Sequence, residues 1–190
     1  MTSRIAVASS SRRLRRAGRR RTVEPVPRPV PVRPAPGQES VWDYPRPPRV
    51  EPCTAELVIE LGGQVVARTT SGWRVLETSH PPTYYLPRSA FVPGSLRAAD
   101  GASWCEWKGQ AAYLDVLGGT VVAPRAAWTY PEPSAGYEVL AGAVAVMPGA
   151  MDRCTVDGEV VRPQDGGFYG GWITSGVVGP FKGGPGTWGW

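Results

Sequence analysis

A chain of 190 residues with 24 glycines and 21 prolines has room for one domain of ordinary size, and its punctuation calls for short strands and turns rather than long helices. The formal net charge of +5 is unevenly spread: residues 1–40 hold ten Arg and two Glu, 10 − 2 = +8, which leaves 5 − 8 = −3 for the remainder. A mildly acidic body argues against a nucleic-acid reader with a basic face of its own, and no apolar run approaches the eighteen or so residues of a membrane span.

The first forty residues read as an arm. Up to Arg21 the chain is rich in Ser and Arg, and from Val23 every second or third residue is Pro. The first half has too little apolar content to fold alone, and the second is held extended by its prolines. The arginine-rich, acid-poor start resembles a transit peptide, while the lack of an apolar stretch after it speaks against a secretory signal. A disordered extension is the expectation for 1–40, and any grip on nucleic acid there would be by charge and sensitive to salt.

From residue 41 onward, short strands are predicted in close succession. "AELVIELGGQVVART" reads as a hairpin turning at Gly62-Gly63, and "GWRVLET" as a third strand. "WCEWKGQAAYLDV" reads as strand, turn near Gly109, and strand. "TVVAPRAAWTY" is another strand, with Pro124 marking a bulge or an edge. "SAGYEVLAG" suggests one or two helical turns, "AVAVMPG" a buried strand, and "RCTVDGEVVRP" a hairpin with Asp157-Gly158 in a type I′ turn. The glycine- and aromatic-rich end promises little regular structure, with Trp172, Trp188 and Trp190 filling gaps. The eight tryptophans can supply much of a core, since each buries a large area.

Chemistry concentrates in three places. "LETSHPPTYYLP" holds the sole histidine, His80, whose ordinary pKa suits proton transfer near neutral pH. Pro81 and Pro82 hold it out of the helical region. In a straight strand Glu77 and His80 would face opposite sides, so Glu77 could orient the imidazole only through a turn at Thr78-Ser79. Tyr84 and Tyr85 point opposite ways, so at most one of them shares a pocket with His80. The competing reading makes His80 a brace for a proline turn. In "WCEWKG", Lys108 could grip an anion beside a Trp107 wall. Alternatively it forms a cross-strand pair with Asp115, worth under about 1 kcal/mol. Cys105 reads as a buried, inert thiol rather than an activated nucleophile. Tyr169, Trp172 and Lys182 sit among the final glycines, whose spacing fits no phosphate-binding fingerprint. The three cysteines, Cys53, Cys105 and Cys154, form no CxxC pair; they make neither a disulfide framework nor a zinc finger, and fit a reducing cytoplasm.

Taken together, "ESVWDYPRPPR", "LETSHPPTYYLP", "CEWKG" with "YLDV", "AWTYPEP", "VDGE" and "FYGGWIT…GPFKGGPGTWGW" resemble the bacterial domain-of-unknown-function family 427, over about residues 40–190. That resemblance implies a β-tent-like fold of antiparallel sheets. Relatives of that class often hold zinc through paired CxxC motifs, which this sequence lacks. The family has also been labelled a nucleotidyltransferase family. Such transfer needs close carboxylates for magnesium, and the nearest match is Asp157–Glu159 inside a hairpin. The resemblance also places the His80 motif near the family's centre.

The expectation is a mainly β, antiparallel, β-tent-like or barrel-like single domain at 41–190, with short helical turns, behind the arm. It would bind a polar, anionic small molecule in an aromatic cleft. His80 and Glu77 would be the catalytic pair; Tyr84, Tyr85, Trp107, Lys108, Tyr169 and Trp172 would contact the ligand. No metal or cofactor and no membrane is expected, and nucleic acid only through the arm. A non-catalytic protein-interaction module and a nucleotidyltransferase are the alternatives.

Overall fold

The computed structural model describes residues 29–187 together with 189 and 190. Most of the expected arm, residues 1–28, and the gap-filling assigned to Trp188 lie outside the described residues. Fifteen short strands follow one another: β1 Glu39–Ser40, β2 Arg49–Cys53, β3 Leu57–Leu61, β4 Gln64–Thr69, β5 Gly72–Leu76, β6 Thr83–Tyr85, β7 Leu96–Cys105, β8 Gly109–Gly118, β9 Val121–Thr129, β10 Val144–Val146, β11 Arg153–Val156, β12 Glu159–Val160, β13 Arg162–Pro163, β14 Trp172–Ile173 and β15 Val177–Val178. Three single 3-10 turns, at Arg88–Ala90, Glu138–Leu140 and Pro148–Ala150, supply the only helical character among the described residues.

The fold is mainly β and a single domain, built from several antiparallel sheets with no closed barrel. One sheet has the order β2-β5-β6 and another β10-β9-β8-β7. Leu86 and Val144 join them: each donates its amide to the other's carbonyl at 2.8 Å. This seam makes a longer bent surface from the two sheets. A third sheet, β12-β11-β3-β4, packs on one side of it. Leu57, Ile59, Leu61 and Val66 there meet Tyr84, Leu86, Leu114, Val116, Val144 and Val146 in the main core. Strand alternation sends the intervening residues the other way. Val75, Tyr85, Ala111, Tyr130 and Ala145 gather into a second cluster on that opposite side, with Trp107 and Trp128 packed against it.

The turn chemistry acts as its residue types require. Gly62 and Gly63 have φ of +62° and +71°, and Asp157 and Gly158 have +48° and +81°, the left-handed pairs of two-residue hairpins. The irregularity expected at Pro124 is present: the β8–β9 register shifts between Leu114 and Val116. Arg125, at φ +50°, donates its amide to Asp115 Oδ1 at 2.8 Å.

The described end of the arm is tied to the domain. Val32 donates to the Gly179 carbonyl at 2.8 Å, and β1 runs parallel to β15. Glu39 takes two hydrogen bonds from Arg74, at 2.9 and 3.0 Å, and one from Tyr44 at 2.6 Å. Burial raises the Glu39 pKa, but these bonds outweigh it and the net shift is downward.

Candidate functional site

The face turned away from the third sheet carries a cavity of about 590 Å³, within the usual range for small-molecule sites. It lies across the seam. Glu77, His80 and Tyr85 reach it from the β5–β6 side, and Cys105, Trp107, Lys108, Trp128 and Tyr130 from the β7–β9 side. The loop at 167–170 adds Phe168 and Tyr169, and Lys182 closes the ring.

The histidine loop is a tight turn. The His80 amide donates to the Glu77 carbonyl at 3.0 Å, and Ser79 between them sits at φ +70°, a conformation L-residues hold only when their surroundings impose it. Those surroundings are backbone: Ser79 donates to Val41 O at 3.0 Å and accepts from the Lys182 amide at 2.8 Å. The expected turn at Thr78-Ser79 therefore exists, yet the Glu77 carboxylate pairs with Arg46, at 2.9 Å, rather than with the imidazole.

Gln164 is the residue that orients His80. Its Nε2 contacts His80 Nδ1 at 3.1 Å and donates to the Lys182 carbonyl at 2.7 Å. Its Oε1 accepts from the Gly171 amide at 3.1 Å. Flipping the amide would set oxygen against oxygen at Lys182 and nitrogen against N–H at Gly171, so two backbone groups fix its orientation. Nδ1 must then accept, and the neutral ring carries its proton on Nε2. Burial, helped by the charges of Lys182, Arg46 and Lys108, pushes the His80 pKa down to about 3. The imidazole is thus neutral across the physiological range.

Lys108 lies in the three-residue turn between β7 and β8, which Gly109 closes at φ +91°. Glu106 and Lys108 both line the cavity, Glu106 at an exposed position and Lys108 only 8% exposed. The Lys108 ammonium sits 5.8 Å from the Tyr130 ring centroid, and no carboxylate among the described residues forms an ion pair with it. The Lys108–Asp115 pair anticipated from the hairpin is replaced by Arg97–Asp115, at 2.7 Å, because the register sets Arg97 opposite Asp115.

Of the expected contact residues, Tyr85, Trp107, Lys108 and Tyr169 line the cavity, as do His80 and Glu77. Tyr84 and Trp172 do not. They point into the main core, their rings 5.2 Å apart, and burial lifts the Tyr84 phenol to about 12. Cys105, expected to be buried, is half-buried and lines the cavity.

Several lining residues were not singled out from sequence. Trp128 and Tyr130 share one face of the β9 run by simple alternation, which was signal enough to find them. Trp128 donates to the Tyr85 hydroxyl at 3.1 Å. Arg46 on the wall, and Gln164 behind His80 rather than on the wall, had no local signal, because their partners are far off in sequence. Lys182 stood out as a cation among glycines, but only the fold brings it beside Tyr169, 5.9 Å from the ring centroid. Tyr169 in turn packs edge-on against His80 at 4.5 Å.

The carboxylates of the "DGE" turn are engaged elsewhere. Asp157 accepts from the Glu56 amide at 2.7 Å, and Glu159 accepts from the Ser175 hydroxyl at 2.8 Å. Among the described residues, no three His, Cys, Asp or Glu side chains are grouped to hold a metal ion, and no helix is long and apolar enough to cross a membrane.

Comparison with curated proteins finds no match. A model of a domain of unknown function, DUF427, which bears a nucleotidyltransferase label, matches residues 49–157. That segment is more than half of the chain and contains the histidine loop, the Trp-Lys turn and β9. The chain therefore belongs to the DUF427 family.

Proposed function

We propose that the cavity binds an organic anion, and that the protein works as a small-molecule binding domain. The observation that carries this reading is Lys108: a residue only 8% exposed, on the cavity wall, with no carboxylate paired to it among the described residues. A cation on a mostly buried residue without a protein counter-charge is a ready partner for an anionic group, and an anionic ligand would supply that counter-charge. The cavity's charge agrees. Arg46, Lys108, Arg125 and Lys182 line it against only Glu77 and Glu106, although the body as a whole is acidic. In this reading Lys108 and Lys182 attract the acid group and the neutral His80 donates from Nε2. Tyr85, Trp107, Trp128 and Tyr130 form apolar walls. His80 acts as a hydrogen-bond donor, because an imidazole with a pKa near 3 is a poor proton acceptor at neutral pH.

Isothermal titration with a panel of small carboxylic acids and phosphate monoesters tests the proposal. Wild type should bind some of them, and Lys108→Met should weaken that binding at least tenfold. The variant should also unfold at about the same urea concentration as wild type, since Met fills much the same space. A panel without heat in the wild type would reject the proposal.

A further inference from the structure

The cavity has two unlike ends. Its inner groups, His80 and Lys108, are each 8% exposed. Two other lining residues are large aromatics left in water: Trp104 is 75% exposed and Phe168 is 65% exposed. The remaining exposed large hydrophobic residues of the described chain are all valines. Both exposed aromatics therefore fall on the rim of the same cavity. Solvent-facing Trp and Phe leave broad apolar area uncovered, and their placement on one rim gives that area a purpose.

The backbone of one aromatic and the ring of the other are held in position. Trp104 sits one residue before the end of β7, an edge strand whose pairing with β8 sets Trp104 opposite Gln110. Phe168 packs at right angles to Tyr169, with centroids 5.0 Å apart, and Tyr169 rests on His80. Glycines on either side let this pair approach the sheet and the C-terminal segment closely. A Cβ on Gly170 would come within 2.2 Å of the Trp128 ring, and one on Gly166 within 2.1 Å of the Gly183 carbonyl. The side chains at 168 and 169 are thus a fixed aromatic rim.

Resting on the anion-binding reading above, we infer that the ligand is an aryl acid: a carboxylate or phosphate head seated toward Lys108 and His80, with a planar ring system stacked at the rim on Trp104 and Phe168. Stacking on an exposed aromatic favours flat π faces over puckered rings of equal size. The chemical class follows from the two ends together, since neither a bare anion nor a neutral arene would use both.

The test uses 2-naphthoate and 2-naphthyl phosphate, with decahydro-2-naphthoate as a puckered control of the same skeleton. Affinities are read by tryptophan fluorescence and calorimetry on the full chain. At least one naphthyl acid should bind tenfold or more tightly than the control, and the better of the two identifies the head group. Trp104→Ala and Phe168→Ala, both at exposed positions, should reduce that preference to under about threefold, weakening the planar acids more than the control. Equal affinities for planar and puckered acids, or rim variants with no effect, overturn the inference while leaving anion binding standing. Failure of every acid to bind overturns both. A concentration-dependent dimer by sedimentation that Trp104→Ala dissolves would also overturn it, assigning the rim to a second copy of the chain.

Discussion

At the scale of single residues, the central fact is that burial keeps the only histidine neutral while a neutral amide, Gln164, sets its tautomer. The imidazole takes up a proton far less readily folded than unfolded. The unfolded chain therefore binds an extra proton between pH 6.5, the ordinary value, and about 3. The contribution of His80 to stability is complete above that window and is lost as the pH falls through it. At pH 5 the loss should be about 2 kcal/mol. Urea denaturation at pH 7 and pH 5 should show a larger fall in midpoint for wild type than for His80→Asn, whose Oδ1 can take the place of Nδ1 facing Gln164. Equal falls would mean that the imidazole is solvated. The sequence announced the histidine, its prolines and the turn before it. It was silent on the orienting partner, because a glutamine 84 positions away carries no charge or spacing signal. The nearby carboxylate looked like that partner only because it was close in sequence.

At the scale of elements, most strands were legible because period-two alternation and turn glycines are local properties. The β3–β4 and β11–β12 hairpins turn where Gly62-Gly63 and Asp157-Gly158 stand. Alternation also separated Tyr84 from Tyr85 correctly, one to each side of the sheet. Which side held the cavity was not legible, since that depends on where the third sheet packs. The sheets meet at two turns stacked backbone to backbone. A Cβ on Gly62 would lie 2.1 Å from the Gly118 carbonyl oxygen, and one on Gly118 would lie 2.1 Å from that of Leu61. Gly118→Ala should therefore destabilise the protein by roughly 2 kcal/mol or more, because rigid backbone rather than a side chain must move. Thermal and urea unfolding would measure it. Gly37→Ala is the control: open space surrounds that position, and only its φ of +83° resists the change.

At the scale of the whole molecule, the cavity draws on more chain than the family match covers. Arg46 precedes the matched segment, while Phe168, Tyr169 and Lys182 follow it. The flanks brace the same site: Lys182 holds the Ser79 carbonyl, and Gln164 holds the imidazole. Long-range closure of this kind is invisible to a reading that moves along the chain one motif at a time. Among the described residues, the Leu86–Val144 exchange of amides is the backbone joint between the β2-β5-β6 sheet and the sheet bearing Trp128, and the Trp128–Tyr85 hydrogen bond adds a side-chain link beside it. Any molecule that touches both walls becomes a further rivet across that joint. Deuterium uptake at the Leu86 and Val144 amides should then slow when the cavity is occupied, while the β3–β4 hairpin behind the core keeps its unliganded exchange rate. The joint would thus report occupancy from within the backbone, with no label placed in the cleft.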